Sequence, residues 1–271
     1  MPRLRLATPR CLGTTLAIAA ALLGTWDVWS KRPEVLAQTS RPGDSAVRPF
    51  TIKVPDSVLA DLQNRLARTR YPDEPSGAGW MYGMNRAYLQ QLVTYWRERY
   101  RWREQERRLN AMPQFKTTID GLDVHFVHRK SPEPSAFPII MLHGWPGTFY
   151  EFHKMVEPLA DPRRHGGDPH DAFDVVIPSL PGYGFSERPT GMGHSRQRTA
   201  RMFDELMKRL GYARYGIQAG DVGASVAAYM ALGGAQHITG LHLNRCSGDS
   251  PDSATPSTGF SPEELAFREQ V

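Results

Sequence analysis

Cysteine is scarce in this 271-residue sequence, which contains only two, Cys11 and Cys246. Cys11 lies in an apolar N-terminal segment, so a processed chain keeps Cys246 alone and forms no internal disulfide. The nine histidines are scattered, without a second His or a Cys at the spacing of a zinc site. We therefore expect no disulfide framework, no metal centre and no cofactor.

A strong excess of one charge is also lacking, because the formal net charge is only +5. In "WRERYRWREQERRLN" arginines alternate with glutamates, which is typical of a solvated helix face. No basic patch accompanies a nucleic-acid recognition motif. The sequence therefore predicts no nucleic-acid partner, and it does not indicate an oligomeric state.

A hydrophobic run long enough to span a bilayer comfortably is missing from the N-terminus. The basic "MPRLRLATPR" is followed by the uncharged "CLGTTLAIAAALLGTW", which is shorter than the ~20 residues of a membrane helix. Ala37 offers a small residue at a cleavage point, so residues 1–37 are predicted to be a signal peptide for export to the periplasm or the medium. The alternative is an uncleaved anchor with membrane association through the N-terminus, since Val28 and Trp29 extend the apolar run past Asp27.

The segment that follows a Pro/Ser/Gly-rich linker at 38–47 is predicted to be helical. "VPDSVLADLQNRLART" places leucines on one face of an amphipathic helix. "NRAYLQQLVTYWRERYRWREQERRL" is predicted as a second, single and longer helix, whose stripe containing Trp96 and Tyr100 packs in the core.

From about Phe115 the pattern changes to strands. Two alternating runs flank Asp120-Gly121, which predicts a β-hairpin. Buried strands such as "FPIIML" and "FDVVIP" then alternate with helical segments. This pattern predicts an α/β fold, with a mostly parallel sheet and helices on both faces. In such a fold the chemistry gathers at the carboxyl ends of the strands.

The stretch "YGIQAGDVGASVAAYMALGG" contains a strand-to-helix corner with two possible registers. "AGDVG" places Asp221 at the tip, and "GASVA" places Ser225 there; both have the small neighbours that a nucleophile elbow needs. The strand "YGIQ" ends at Gln218, which favours Asp221 and makes Ser225 a small residue for close packing. The alternative for Asp221 is a helix N-cap.

A second corner, "HGWPG", follows an upstream buried strand. Its backbone, through Trp145, and the backbone N–H of Val222 are predicted to form an oxyanion hole beside Asp221. The residues that support these two corners are His143, Gly144, Pro146, Gly220 and Gly223.

The chain resembles the α/β-hydrolase-fold epoxide hydrolases, specifically the microsomal-type branch with an N-terminal helical extension. The resemblance runs from about residue 48 to 248. It is carried by "GWMYGMN", "YWRERYRWREQERRLNAMPQFKTTIDGLDVHFVH", "MLHGWPGTFYEF", "PSLPGYGFS", "AGDVGA" and "GLHLN". One departure concerns Val222, because that family usually has tryptophan after the nucleophile.

The resemblance implies the chemistry and a role in the detoxification of foreign epoxides. Asp221 would attack an epoxide carbon and form an ester, which a histidine oriented by a second acid would hydrolyse to a vicinal diol. Trp145 and Val222 would hold the oxyanion of the second step, and two lid tyrosines would bind the epoxide oxygen. The expected substrate is a small apolar epoxide. Several aromatic residues are expected to contribute to its pocket: Trp80, Tyr82, Trp145, Tyr150, Tyr183 and Phe185.

The resemblance also implies a domain division. Residues 48–115 would form the helical extension, 116–250 the first half of the hydrolase domain and 251–271 the start of the lid. The histidine, the second acid and the lid tyrosines of the family would follow Val271, so a C-terminally truncated protein that is inactive alone is expected.

Three other interpretations stay open. Haloalkane dehalogenases also use an elbow aspartate, but they favour a tryptophan where this chain has Val222. An esterase would use Ser225. A hydrolase fold without catalysis would only bind its ligand.

Overall fold

The computed structural model describes residues 45–245. The predicted signal segment, both cysteines and the residues after Arg245 lie outside the described residues.

Residues 45–245 form seven strands and six α-helices, numbered here in chain order. The strands are β1 (Arg48–Pro49), β2 (Gln114–Ile119), β3 (Leu122–Arg129), β4 (Phe137–Leu142), β5 (Phe173–Pro178), β6 (Tyr215–Ala219) and β7 (Ile238–Leu243). The helices are α1 (Asp56–Ala67), α2 (Arg86–Glu98), α3 (Trp102–Leu109), α4 (Val156–Ala160), α5 (Arg196–Arg209) and α6 (Asp221–Gly234). Short 3-10 helices cover Phe149–Phe152, Pro162–His165, Pro169–Asp171 and Ala235–His237.

The seven strands make one sheet in the order β1-β2-β3-β5-β4-β6-β7. The first three strands and the β3–β5 pair are antiparallel, whereas β5, β4, β6 and β7 run parallel. The β2–β3 hairpin is confirmed, with Asp120 at φ 54 and Gly121 at φ 78 in its turn, the positive pair that a tight primed turn requires. The carboxyl ends of the four parallel strands therefore meet at one edge.

Apolar side chains cover both faces of the sheet, which confirms the predicted α/β fold class, although the sheet is mixed and not mostly parallel. In β4 the consecutive residues Ile140 and Met141 belong to two different core clusters, because neighbouring strand residues point to opposite faces. One cluster includes residues of α5 and α6, and the other includes residues of α3 and α4. Strands buried on both faces explain the long apolar runs of the sequence.

The helical region after β1 differs from its prediction in two respects. The long helix predicted after α1 is wrong, because Arg101 adopts an extended backbone between α2 and α3. The two helices differ in burial: α3 buries Glu106 and Leu109, whereas α2 has no buried residue. A single straight helix could not direct both pieces to these surroundings.

The core assignment of the α2 stripe is also wrong. Trp96 is 44% exposed and Tyr100 is 39% exposed. Among residues 45–245, this face borders a groove of about 620 Å³ that includes leucines of α1 and α2. The periodicity of the sequence correctly indicates an apolar face, but periodicity does not reveal whether another element covers it.

Candidate active site

Asp221 lies at the corner where β6 ends and α6 begins. The N-cap of α6 is Gly220, which has an extended backbone, and Asp221 is the first helical residue. Its φ is 47°, a left-handed value that a non-glycine residue adopts only at a cost. The helix-cap alternative for Asp221 is therefore wrong, and the corner projects this side chain from a strained position.

Both carboxylate oxygens of Asp221 have partners. The backbone N–H of Trp145 donates to Oδ1 at 2.9 Å. The guanidinium of Arg245 donates from Nη1 to Oδ2 at 2.8 Å. The N–H of Trp145, then that of Val222, and then the charge of Arg245 hold the pKa of Asp221 below its usual range. The side chain is therefore a carboxylate at neutral pH.

Glycines make room for this arrangement. A Cβ added to Gly144 would lie 2.5 Å from Oδ1 and 2.8 Å from Cγ of Asp221. A Cβ on Gly223 would lie 2.6 Å from the carbonyl oxygen of His143. Gly220 packs in the same manner against the side chain of Asn244. The β4 turn and the start of α6 thus approach so closely that a methyl group does not fit between them.

The turn after β4 presents one backbone donor to the carboxylate. The Trp145–Pro146 peptide bond is cis, and Pro146 has no N–H to offer. The indole of Trp145 is 69% exposed, so this residue acts on Asp221 through its main chain. His143 is buried behind the turn, where its ring contacts backbone groups.

Ser225 is not brought to the corner. It lies within α6, four residues after Asp221, and is half-buried. One turn of helix separates the two residues along the axis. Val222, where the family usually has tryptophan, is partly buried and packs against the core.

Sequence reasoning missed two charged neighbours of Asp221. Arg245 follows β7, whose carboxyl end lies at the same edge of the sheet as the corner. The side chain of Glu151 packs against Gly147. Burial and the charge of Asp221 raise the pKa of Glu151. The parallel order of β6 and β7 is the signal that could have found Arg245, whereas Glu151 has no comparable signal.

Eight of the nine histidines in residues 45–245 have other hydrogen-bond partners. Within residues 45–245 no histidine is hydrogen-bonded to Asp221. Hydrogen bonds to other groups engage His125, His128, His143, His153, His170, His194, His237 and His242.

No cluster of three potential ligands for a metal ion occurs in the described part of the chain. Likewise, none of the helices between residues 45 and 245 combines the length and hydropathy needed to cross a membrane.

An apolar cavity of about 250 Å³ lies beside the segment that follows the β4 turn. Two of the aromatics considered for a substrate pocket, Tyr150 and Phe185, line it together with Phe149 and Tyr100. Two others, Trp80 and Tyr82, are 60% and 78% exposed.

Two family models match the chain, and curated relatives resemble it. The family model for the epoxide hydrolase N terminus matches residues 47–152, and the model for the alpha/beta hydrolase fold matches residues 138–264. A putative epoxide hydrolase of Stigmatella aurantiaca is 45% identical over 221 residues, which cover 80% of this chain and 49% of that protein. Epoxide hydrolase 1 of Sus scrofa is 42% identical over 212 residues, covering 76% of this chain and 47% of that protein.

A solved structure extends the similarity to three dimensions. The juvenile hormone epoxide hydrolase of the silkworm Bombyx mori superposes with a TM-score of 0.67 at 35% identity, covering 74% of this chain and 53% of that one. The chain spans about half the length of the curated relatives it matches. The two family models together account for residues 47–264, and the chain therefore belongs to the epoxide hydrolase family of the α/β-hydrolase fold.

Proposed function

We propose that Asp221 is the nucleophile of an epoxide hydrolase that acts on small apolar epoxides. Oδ2 forms a bond to an epoxide carbon while the bond from that carbon to the epoxide oxygen breaks. The freed oxygen stays bonded to the neighbouring carbon and takes up a proton from a donor proposed to lie in the lid, which gives a hydroxyl group and an ester on Asp221. Water then adds to the ester carbonyl, and the collapse of this adduct releases a vicinal diol and restores the carboxylate.

The observation that carries the proposal is the pairing of Oδ1 with a main-chain donor of the opposite corner, the N–H of Trp145 at 2.9 Å. When water attacks the ester, negative charge develops on the carbonyl oxygen. Backbone N–H groups fixed at that oxygen stabilise this charge without reorganisation. The N–H of Val222, which also lowers the pKa of Asp221, is proposed as the second donor. An aspartate suits this chemistry because the ester it forms contains the carbonyl that water attacks.

The strained backbone of Asp221 supports the same role. A φ of 47° persists only where the surrounding structure dictates it. Here the two corners approach so closely that an added methyl group fits at neither Gly144 nor Gly223. Ser225, inside α6 and away from the turn, lacks this setting. This contrast favours an aspartate nucleophile over a serine esterase.

Alkylation of the 271-residue chain tests the assignment. The chain is incubated with styrene oxide and, in parallel, with an aryl α-bromoketone, whose bromide leaves without needing a proton donor. With the bromoketone, peptide mass mapping is expected to find the added mass on Asp221, and the Asp221→Asn variant is expected to lose it. The bromoketone separates the reactivity of the nucleophile from the proton donors of the lid, because only the epoxide needs them.

Two results would contradict the proposal. One is bromoketone alkylation of other residues with Asp221 unmodified in the folded chain. The other is labelling of Ser225 by a fluorophosphonate, which a Ser225→Ala control abolishes; this result would favour an esterase.

Export is a separate proposal, which rests on the N-terminal sequence alone. We propose that residues 1–37 direct the chain out of the cytoplasm. Expression of the full sequence and N-terminal sequencing of the exported material are expected to give Gln38 as the first residue. An intact N-terminus in the membrane fraction would instead identify an anchor.

A further inference from the structure

The ring of His143 contacts the backbone through both nitrogen atoms. His143 directly follows β4 and is 1% exposed. The backbone N–H of Leu180, in the loop after β5, donates to Nε2 at 3.1 Å. Nδ1 lies 3.2 Å from the carbonyl oxygen of Gly144. The ring therefore bridges the β5 loop and the oxyanion turn.

These two contacts determine the tautomer. A backbone N–H can only donate, so Nε2 of His143 must carry a lone pair and no proton. Burial lowers the pKa of His143, which keeps the ring neutral at physiological pH. A neutral ring has one N–H, which must then be on Nδ1. Nδ1–H is therefore the donor, and the carbonyl oxygen of Gly144 is the acceptor.

The carbonyl of Gly144 belongs to the same peptide unit as the N–H of Trp145. This unit is planar, and in the trans form its C=O and N–H point in opposite directions. A donor that holds the carbonyl on one side consequently directs the N–H to the other side, where Oδ1 of Asp221 lies at 2.9 Å. If the peptide rotated, the following residue could not replace the donor, because Pro146 has no N–H.

We propose that His143 is a positioning residue, whose Nδ1–H fixes the Gly144–Trp145 peptide so that the Trp145 N–H is aimed at Asp221. The inference rests on the proposed role of Trp145 in the oxyanion hole. His143 acts through the peptide and does not touch Asp221. Leu180 supports this role, because its backbone N–H donates to Nε2 of His143 and so fixes the tautomer with the proton on Nδ1.

The first experiment needs no variant. The 271-residue chain is labelled with 15N and 13C, and the histidine ring nitrogens are assigned by NMR at neutral pH. A proton on Nδ1 and a bare Nε2 are expected for His143. A proton on Nε2, or a ring with both nitrogens protonated, would overturn the proposal.

The second experiment separates the two contacts of the ring. The amide nitrogen of asparagine can replace Nδ1 of histidine, whereas the amide oxygen of glutamine can replace Nε2. His143→Asn should therefore keep the bond to the Gly144 carbonyl, and His143→Gln should keep only the bond from Leu180. His143→Ala lacks both.

Two measurements report whether the Trp145 N–H points at Asp221. They are hydrogen exchange of the Trp145 amide and NMR titration of the Asp221 carboxyl group. His143→Ala and His143→Gln are expected to accelerate Trp145 exchange by tenfold or more and to move the pKa of Asp221 upward. His143→Asn is expected to retain most of the protection. If Gln protects as well as Asn, or if Ala leaves both readouts unchanged, the proposal fails.

His125→Asn is the matched control, because His125 is also a buried histidine with two ring hydrogen bonds. Its partners are the side chains of Ser179 and Gln114, not the oxyanion turn. Loss of stability without a change at Trp145 and Asp221 is expected, and an equal change in this control would overturn the proposal. The outcome is distinct from that of the alkylation test, because tautomer and exchange are measured without any reaction at Asp221.

Discussion

Arg245 and Asp221 form an ion pair at the carboxyl edge of the sheet, with Nη1 of Arg245 at 2.8 Å from Oδ2 of Asp221. Since the N–H of Trp145 binds Oδ1, Oδ2 is the oxygen proposed to attack the epoxide. We expect the guanidinium to move aside when a substrate carbon approaches Oδ2. The pair is open to solvent, with 61% and 38% of the two side chains exposed, so this displacement is easy.

The first prediction concerns this ion pair. In the Arg245→Met variant the pKa of Asp221 should rise toward its usual range, because one of the groups that favour the charged form is lost. Alkylation of Asp221 by the bromoketone at pH 8, where the carboxyl is ionised in both proteins, should become several-fold faster because Oδ2 is unobstructed. NMR titration and mass mapping measure the two effects.

Arg163→Met is the control for Arg245→Met, since Arg163 forms a comparable exposed ion pair with Glu133. It should change neither measurement. Slower alkylation of the Arg245→Met variant would show that the guanidinium assists the nucleophile instead of covering it.

A second prediction compares two glycines of α6. Gly223→Ala should lower the free energy of unfolding by about 2 kcal/mol or more, because the new methyl group would overlap backbone atoms of Leu142 and His143 that cannot move independently. Gly233→Ala, for which nothing lies within 4 Å of the added Cβ, should be neutral or stabilising by up to about 1 kcal/mol. Urea denaturation of the two variants measures the difference. Equal stabilities would mean that the two corners are less tightly packed than described.

The strain at Asp221 leads to a third prediction. Asp221→Gly and Asp221→Ala both remove the carboxylate, so their difference in stability reports the backbone alone. Glycine adopts a φ of 47° without penalty, whereas alanine does not. The glycine variant should be more stable by about 1 kcal/mol in thermal or urea denaturation. A more stable alanine variant would indicate a relaxed corner.

The fourth prediction concerns pH and His125. Burial, with a smaller effect of the Lys116 charge, lowers the pKa of His125 from 6.5 to about 3 in the folded chain. Between these values the unfolded chain binds a proton that the folded chain does not. The free energy of unfolding should therefore fall as the pH decreases from about 6.5 toward 3, by up to about 1.4 kcal/mol per pH unit for this group.

Urea denaturation between pH 6.5 and 4.5 isolates the His125 effect if the wild type is compared with His125→Gln. The variant should show a smaller slope, because glutamine does not titrate. Its remaining slope includes His128 and His143, whose pKa values burial also lowers. Parallel curves for the two proteins would contradict a neutral His125.

The sequence predicted the corner well because local rules determine it. A strand that ends at Gln218 or Ala219 leaves Asp221, and not Ser225, at the turn, and the small residues at 220 and 223 agree. The hairpin at Asp120-Gly121 follows from the same kind of short-range rule. In contrast, no proline or glycine marks the break between α2 and α3 in the sequence. This break depends on the tertiary packing of α3, which buries Glu106 and Leu109.

Two other contacts between distant residues were not predicted from the sequence. The bond from Leu180 to His143 and the pair of Arg245 with Asp221 depend on strand order and on side-chain direction, which no local pattern encodes. The roles of Asp221, Trp145 and Val222 stay predictions for the experiments above.

The contact of Gly144 with Asp221 has an evolutionary consequence. The backbone of Gly144 lies so close to Asp221 that a longer side chain does not fit at position 221. A glutamate there would place its carboxyl group beyond the N–H of Trp145, which now donates to Asp221. Neither Gly144 nor Asp221 can be substituted freely while the other residue is kept. New substrate preferences in descendants of this chain should therefore arise in the surrounding loops, while this pair is inherited together.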